Sequence, residues 1–200
     1  DINNTLHNVS RRKPQSVIIN SKLSFTETID FCNVSYMHPG QTEFALTDLN
    51  ISILKGERIG VSGKTGAGKS TFLDLFMGLI PATKGTVSVD GRSISSLDSS
   101  RNCLEWRASI AHVPQSIFLK DSSIAENICF GVTGQLYSID EIIEAAEAAE
   151  LAEFINGLEN GINTVVGERG VRLSGGQIQR IGIARALFKK SKVLVLDEAT

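Results

Sequence analysis

Apolar and polar residues alternate along two stretches near the start of the chain, from Ile29 to Val34 and from Leu46 to Ile53. A period of two is typical of β-strands with one buried face, and Pro39 and Gly40 mark a turn between the two stretches. The pattern therefore predicts an antiparallel β layer.

Further along, short aliphatic runs alternate with helical spacing. We predict strands at Arg58–Ser62, Thr86–Val89, Ile110–Val113 and Lys192–Leu196, and helices from Lys69 to about Leu79, from Asp140 to Phe154 and from Ser174 to about Lys189. The last strand is almost purely aliphatic, as expected of a strand buried on both faces of a parallel sheet. This alternation of strands and helices indicates an α/β fold.

The chain divides into a linker and one domain. Residues 1–24 are polar and partly basic, which predicts a linker, and residues 25–200 are predicted to form the domain, with a helical subdomain at about 115–185. A chain of 200 residues, 42% of them hydrophobic, is long enough to bury one substantial core.

Composition argues against several classes of function. The net charge of -2 provides no basic excess for a phosphate backbone, so no nucleic-acid partner is expected. No apolar run approaches the roughly 20 residues that cross a bilayer. The first residues lack a secretory signal pattern, and the three cysteines lack metal-ligand spacing, so we expect reduced thiols on the cytosolic side.

One segment matches in full the pattern G-x-x-x-x-G-K-[ST] of a phosphate-binding P-loop: Gly63, Lys64, Thr65, Gly66, Ala67, Gly68, Lys69 and Ser70. Glycines let backbone N–H groups converge on an anion, and the helix that follows favours negative charge at its start. In such a loop Lys69 reaches the β- and γ-phosphates, Ser70 binds Mg²⁺ and Thr71 contacts the α-phosphate. The alternative is a glycine-rich turn that merely precedes a helix.

Two carboxylates follow the last predicted strand. Asp197 comes directly after it, where a P-loop protein needs a Mg²⁺ ligand. Glu198 is a candidate general base toward an attacking water. An acidic pair in a loop is more often simply solvated, but beside a P-loop the catalytic interpretation is favoured.

The run Leu173, Ser174, Gly175, Gly176 and Gln177 predicts a helix start, with Ser174 as N-cap and Gln177 completing a capping box. Capping alone does not explain the two glycines, each of which costs about 0.5–1 kcal/mol relative to alanine in a helix. They indicate close approach of a ligand, and an exposed helix N-terminus is a phosphate site. One chain does not need two such sites for one γ-phosphate.

These motifs resemble the ATP-binding cassette family, whose signature is the run at 173–177 downstream of a P-loop. The resemblance extends from about Ile29 to Thr200. It implies an ATPase with a P-loop core, an antiparallel β subdomain and an inserted α-helical subdomain, truncated at its C-terminal end. It also implies that two such domains pair head to tail, with each ATP held between the P-loop of one and the signature of the other.

Two further site residues are implied by position in the resemblance. Tyr36 resembles the aromatic residue that stacks on adenine, although a tyrosine after a strand is more often simple packing. Gln115 resembles the glutamine that contacts Mg²⁺ and the attacking water and faces the membrane partner; the alternative is an exposed loop residue.

Other segments resemble exporter-type members of the family. Residues 164–170 resemble a loop that contacts the transmembrane domain, the alternative being a solvated charge pair at Glu168 and Arg169, and residues 116–119 and 123–128 resemble exporters too. The resemblance implies a motor domain at the cytoplasmic face of the membrane, working with a transmembrane domain fused upstream. The transported substrate does not follow from these residues.

The chain departs from the family pattern in two ways. Ile178 stands where many members carry a basic residue, and the sequence ends at Thr200, before the later dimer-contact and switch-histidine motifs. His7, His38 and His112 come too early to supply that histidine. We therefore expect impaired or absent hydrolysis by the 200-residue chain alone.

Two other functions stay open at this point. A soluble cassette ATPase acting on ribosomes or DNA usually carries tandem cassettes or coiled-coil insertions, and neither is visible here. A regulatory module that binds nucleotide without hydrolysis is disfavoured by Lys69, Asp197 and Glu198.

Overall fold

A computed structural model of the chain describes residues 22–94, 101–132 and 137–197. The strands are β1 (Thr28–Tyr36), β2 (Leu46–Leu54), β3 (Lys84–Val89), β4 (Arg92–Ser93), β5 (Ile110–Val113) and β6 (Val193–Leu196). The α-helices are α1 (Lys69–Phe76), α2 (Arg101–Ser109), α3 (Ile124–Ile128), α4 (Ile139–Ala148), α5 (Ala152–Asn156) and α6 (Gly175–Phe188), and short 3-10 turns lie at Gly161–Asn163 and Glu168–Gly170. The predicted α/β fold is confirmed.

Four strands form an antiparallel sheet in the order β2-β1-β3-β4, which confirms the predicted β layer. Strands β3 and β4 are joined by Asp90 and Gly91, both at positive φ (47° and 75°), as a type I′ hairpin turn requires. The carboxylate of Asp90 accepts three backbone N–H bonds of 2.7–2.9 Å from residues 26–28. Although burial acts to raise it, these bonds lower the pKa of Asp90 to about 2.

Strands β5 and β6 form a separate parallel pair, with Ile110 opposite Val193 and Val113 opposite Leu196. Val195 is buried, but Leu194 and Leu196 are 45% and 50% exposed. The prediction that this strand is buried on both faces is therefore wrong: alternation puts the two leucines on one face, which no described element covers.

Residues 58–62, predicted to be a strand, are not one in the structure. Ile59 and Val61 are half exposed. An extended segment becomes a strand only when its N–H and C=O groups pair with a neighbour. Among the described residues no strand pairs with this segment, so it is an extended approach to the P-loop.

Two predicted helices end earlier than their sequence pattern. Helix α1 stops at Phe76 because Gly78, at φ 68°, leaves the helical conformation. The predicted helix over 140–154 is two helices, α4 and α5, because Glu150 adopts φ 56° between them. An apolar periodicity can continue through such a break, so the pattern does not reveal it.

The first hydrophobic core joins the antiparallel sheet to α1 and α2. Trp106 is fully buried there and donates its Nε1–H to the carbonyl of Phe76, at 2.7 Å. Leu23 also belongs to this core, so the packed chain begins before the predicted boundary at residue 25, while residues 1–21 of the predicted linker lie outside the described part. Val195 of β6 packs in the same core and so connects the parallel pair to α1.

A second core is built from α3 to α6 and the loops between them. Its buried members run from Leu119 to Phe188, close to the predicted helical subdomain at about 115–185. In the described part of the chain, no helix is both long and apolar enough to cross a bilayer.

Candidate nucleotide-binding site

The P-loop is a largely exposed turn whose last two residues, Lys69 and Ser70, are the first two of α1. Gly66 and Gly68 both adopt φ 83°, the left-handed region that favours glycine. A Cβ at Gly68 would lie 2.8 Å from the carbonyl oxygen of Ala45, so the position excludes every larger residue. No side chain caps the start of α1, which leaves its first N–H groups for a ligand.

Lys69 lies over this loop. Its Nζ donates to the carbonyls of Gly63 at 2.9 Å and Lys64 at 3.1 Å. No salt bridge to a carboxylate is found for Lys69 within the described residues. Its positive charge is thus held in place and is uncompensated, which suits a phosphate group.

Thr71 continues the first turn of α1 and lies beside two rings. Its Oγ1 is 3.4 Å from Nε2 of His38, and the His38 ring meets Tyr36 edge-on, with centroids 4.9 Å apart. Tyr36 is only 8% exposed and belongs to the first core, whereas His38 is exposed. The sequence motifs give His38 no site role, because it comes too early in the chain to be the switch histidine. The missed signal was its position. His38 lies two residues after Tyr36, and in an extended chain residues two apart lie on the same side.

The parallel pair brings two predicted metal ligands to one edge. Asp197 follows β6 and donates its N–H to the carbonyl of Val113, the last residue of β5, at 3.0 Å. Gln115 lies two residues after that carbonyl. The carboxyl ends of parallel strands meet at the same edge, so both residues lie at that edge. Glu198 lies outside the described residues.

Helix α6 begins at the second glycine-rich motif, and the predicted capping box is present. Ser174 Oγ accepts the N–H of Gln177 at 3.3 Å, and Gln177 Oε1 accepts the N–H of Ser174 at 2.8 Å. A Cβ at Gly175 or Gly176 would meet nothing within 4 Å, and neither residue has a positive φ. Neither their backbone angles nor their packing against the described residues requires glycine at these positions.

Gly182, in the middle of the same helix, shows what a structural glycine looks like. A Cβ there would lie 2.2 Å from Cδ1 of Ile117, which is a severe clash. The glycines at the start of α6 have no such neighbour. Among the described residues, the space around them is open.

The segments that resemble exporters meet in space. Ser123 and Val165 form an antiparallel bridge, extended by bonds from Ile124 N–H to the carbonyl of Thr164 at 3.0 Å and from Val166 N–H to the carbonyl of Ser122 at 3.1 Å. The loop at 164–170 is therefore tied to the start of α3 before the chain enters α6.

Residues 46–200 match the family model described as ABC transporter. This match covers more than half of the chain and includes the P-loop, the edge at Gln115 and Asp197, and the start of α6. The chain belongs to the ABC transporter family, a family of ATPases.

Among the relatives, the chain is 43% identical over 174 residues to the human ATP-binding cassette sub-family B member 5, covering 86% of the chain and 13% of that protein. It is 41% identical over 177 residues to the ATP-dependent lipid A-core flippase of Escherichia coli K12, covering 88% of the chain and 29% of that protein. The chain thus spans less than a third of either relative.

A solved structure of a bacterial Atm1-family ABC exporter with ATP bound is similar to the chain, with a TM-score of 0.79 and 35% identity. The match covers 90% of this chain and 30% of the other. Together the comparisons confirm the expected family, its exporter branch and the α/β nucleotide-binding fold.

Proposed function

We propose that the chain binds ATP with Mg²⁺ and hydrolyses it as the motor domain of an ABC exporter, in a head-to-tail pair with a second nucleotide-binding domain. The observation that carries this proposal is the open space at Gly175 and Gly176. The described contacts of the chain do not require these two glycines. They are explained if the start of α6 is a surface that closes on a nucleotide bound to the other domain.

The P-loop binds the phosphates of the nucleotide. Its backbone N–H groups, aligned by the positive φ of Gly66 and Gly68, converge on the β-phosphate. Lys69 exchanges its loop carbonyls for phosphate oxygens and neutralises their charge. Thr71 donates its hydroxyl to the α-phosphate.

The oxygen donors of this chain fit Mg²⁺, which prefers hydroxyl, carboxylate and amide oxygens. Ser70, Asp197 and Gln115 would hold it, and when bound it neutralises charge on the phosphate oxygens. Gln115 orients the attacking water from the edge it shares with Asp197. Glu198 accepts the proton of that water.

The adenine base of the nucleotide is recognised by an aromatic ring near the end of β1. Tyr36 is buried in the first core and offers little surface to adenine, whereas His38 is exposed and lies 3.4 Å from Thr71. His38 is therefore the better candidate for the stacking role predicted for Tyr36. Tyr36 supports the His38 ring edge-on.

The second domain supplies Ser174, Gly175, Gly176 and Gln177 to the nucleotide of the first. The hydroxyl of Ser174 and the free N–H groups of α6 stabilise the γ-phosphate across the dimer interface. Closure follows ATP binding because these contacts exist only in the closed pair. The motor domain lies at the cytoplasmic face of the membrane, and a transmembrane domain fused upstream takes up the movement.

Cysteine cross-linking in the full-length protein tests this arrangement. Cys32, Cys103 and Cys129 are replaced by serine, and new cysteines are placed at Thr65 in the P-loop and at Ser174. We expect Mg-ATP to raise the cross-link between two copies several-fold in a Glu198→Gln background, because that variant holds ATP unhydrolysed. Cross-linking that ignores ATP, or that persists with Lys69→Ala, would sink the head-to-tail proposal.

A further inference from the structure

The side chain of His38 lies between the end of β1 and the first turn of α1. Its Nε2 is 3.4 Å from the hydroxyl oxygen of Thr71, and its ring meets Tyr36 edge-on at an interplanar angle of 88°. His38 is exposed, whereas Thr71 is only 8% exposed. A solvent-facing imidazole thus contacts a nearly buried hydroxyl that the proposed function assigns to the α-phosphate.

The backbone around His38 is fixed by hydrogen bonds. The carbonyl of His38 accepts the N–H of Gln41 at 3.0 Å, which closes a four-residue turn with Gly40 at φ 80°. On the other side, Met37 donates its N–H to Oγ1 of Thr83 at 3.0 Å. The imidazole is therefore presented by a hydrogen-bonded turn at the end of β1.

The hydroxyl of Thr71 has one proton to donate. No second hydrogen-bond partner for this hydroxyl is found among the described residues. When Nε2 of a neutral imidazole carries no proton, it accepts the hydroxyl proton, which is then not available to a phosphate oxygen. When the imidazole is protonated, its Nε2–H donates to the hydroxyl oxygen and leaves the hydroxyl proton free.

The neutral ring also has a second tautomer, in which Nε2 carries the proton and donates to Thr71. This tautomer orients the hydroxyl in the same way but brings no charge. Only the protonated ring both frees the hydroxyl proton and places a positive charge beside the phosphate. A phosphate group at Thr71 therefore favours the protonated ring over both neutral tautomers.

The charge of the His38 ring is not balanced by a carboxylate of the described chain, since none forms a salt bridge with it. Tyr36, the titratable side chain in contact with the ring, is uncharged near neutral pH. Lys69 donates to carbonyls of its own loop, and Lys84 lies over the Phe44 ring, with Nζ 5.2 Å from its centre. The charged residues of the surrounding segments are Glu43 in the loop to β2, Lys69 and Asp74 in α1, and Lys84 at the start of β3.

We propose that His38 takes up a proton from solvent when Mg-ATP binds, and that the protonated ring turns the hydroxyl of Thr71 toward the α-phosphate. The edge of the ring does this while its face meets the base. His38 is here a positioning residue, because it acts on the phosphate through Thr71. The inference rests on the proposed function and adds to it a link between nucleotide affinity and pH.

The direction of this link follows from the number of protons bound. The nucleotide-bound state holds more protons on His38 than the free state, so a lower pH favours the bound state. Histidine side chains ordinarily change charge between about pH 5 and 8, which is where the effect should appear. Reciprocally, nucleotide binding should draw protons from the buffer.

Calorimetry of the full-length protein tests the pH dependence. Mg-ATP affinity is measured at about pH 8 and about pH 6 in a Glu198→Gln background, which keeps the nucleotide intact, with and without His38→Gln. We expect the affinity to rise at least about threefold more on acidification when His38 is present. Loss of ring contact in His38→Gln acts alike at both pH values, so the ratio isolates the proton. The matched control, His112→Gln on β5, should behave like the parent.

An equal pH dependence with and without His38 would overturn the proposal. Proton uptake gives a second readout, from titrations near neutral pH in buffers that differ in ionisation enthalpy. We expect the parent to take up a fraction of a proton more than His38→Gln, and Mg-ADP to show the same difference, because it keeps the α-phosphate. A difference confined to Mg-ATP would place the proton near the γ-phosphate and contradict the role of Thr71.

Variants of Thr71 test whether His38 acts through the hydroxyl. Thr71→Ser keeps the hydroxyl and should retain the pH effect of His38. Thr71→Val keeps the shape of the side chain without the hydroxyl and should reduce the effect to less than about half, since the two residues then no longer couple. A full pH effect in Thr71→Val would mean that His38 acts by its charge alone, which would remove its positioning role.

Binding itself distinguishes this inference from the proposed function. If the parent protein binds no Mg-ATP at either pH, the proposed function fails and this inference with it. If Mg-ATP binds and depends on Lys69, but with the same pH dependence as in His38→Gln, the proposed function stands and this inference alone fails.

Discussion

The P-loop and the start of α6 are both glycine-rich segments that open a helix, but their glycines are required for different reasons. The structure of the chain itself requires glycine at position 68, because φ there is 83° and a Cβ would clash with the carbonyl of Ala45. Gly175 and Gly176 have ordinary backbone angles and open surroundings. Intramolecular contacts explain the glycine of the first motif, whereas the described contacts of the chain do not explain the glycines of the second.

The two helix starts also differ in capping. Helix α1 has no side-chain cap, so its first N–H groups are available to a ligand. Helix α6 is capped, because Ser174 and Gln177 form a capping box. Because its N-terminus is capped, helix α6 is stable without a partner, even though it carries two glycines that its own packing does not need. Under the proposed function, this difference predicts that nucleotide binds first at the P-loop and that α6 of the second domain then closes over it.

Removing the charge of the P-loop should give the largest effect. Lys69→Ala should weaken Mg-ATP binding by roughly 10- to 100-fold, since a charge-assisted hydrogen bond contributes about 1.5–3 kcal/mol. Calorimetry of the full-length protein measures it, with Lys55→Ala in the turn before the loop as the control. Unchanged affinity would remove the basis for the P-loop interpretation.

Alanine at Gly66 and at Gly68 of the P-loop should separate backbone strain from steric clash. Gly66→Ala introduces only the positive-φ penalty, about 1–2 kcal/mol. Gly68→Ala adds a contact with the Ala45 carbonyl and should lose more stability than Gly66→Ala. Urea unfolding of the two variants, compared with the parent chain, checks this order. Equal losses would show that the loop relaxes around the new methyl group.

Alanine at the start of α6 should have the opposite effect on stability. Gly176→Ala should leave unfolding unchanged or raise stability by up to about 0.5–1 kcal/mol, because alanine is the better helix former. The same change should lower ATP hydrolysis by the full-length protein about tenfold, since the methyl group blocks the approach of the nucleotide. If hydrolysis is unaffected, these glycines do not contact the nucleotide.

His38 and Tyr36 offer a smaller test at the base. His38→Ala should weaken Mg-ATP binding roughly three- to tenfold through loss of ring contact, while Met37→Ala should not. Tyr36→Phe should leave affinity unchanged, since the buried ring keeps its packing. A larger effect at Tyr36 than at His38 would restore the original assignment. Titration with a fluorescent nucleotide measures these changes in affinity.

The smallest effect is expected away from both motifs, at the Asp90 turn. The folded pKa of Asp90 is about 2, below its usual 3.8, so its contribution to stability is present above about pH 4 and is lost as pH falls toward 2. Asp90→Asn should cost about 1 kcal/mol or less near neutral pH, since solvent screens the site. It should also flatten the acid dependence of urea unfolding between pH 4 and 2.

Several local features of the structure could be predicted from a few neighbouring residues. The P-loop pattern, the capping box at Ser174 and the Asp90–Gly91 turn depend on a few consecutive residues, so the sequence by itself determined them. The strand at Ile110–Val113 was predicted with its observed limits because an aliphatic run between polar breaks is a local signal.

Contacts distant in sequence decided the rest. Whether residues 58–62 pair as a strand, and whether Leu194 and Leu196 are covered, depends on neighbours that no local pattern specifies. The same holds for the burial of Tyr36 beside an exposed His38. Sequence alone identified the residues that we propose for phosphate binding. Only the tertiary structure decided which of them face solvent, because exposure is set by packing between segments far apart along the chain.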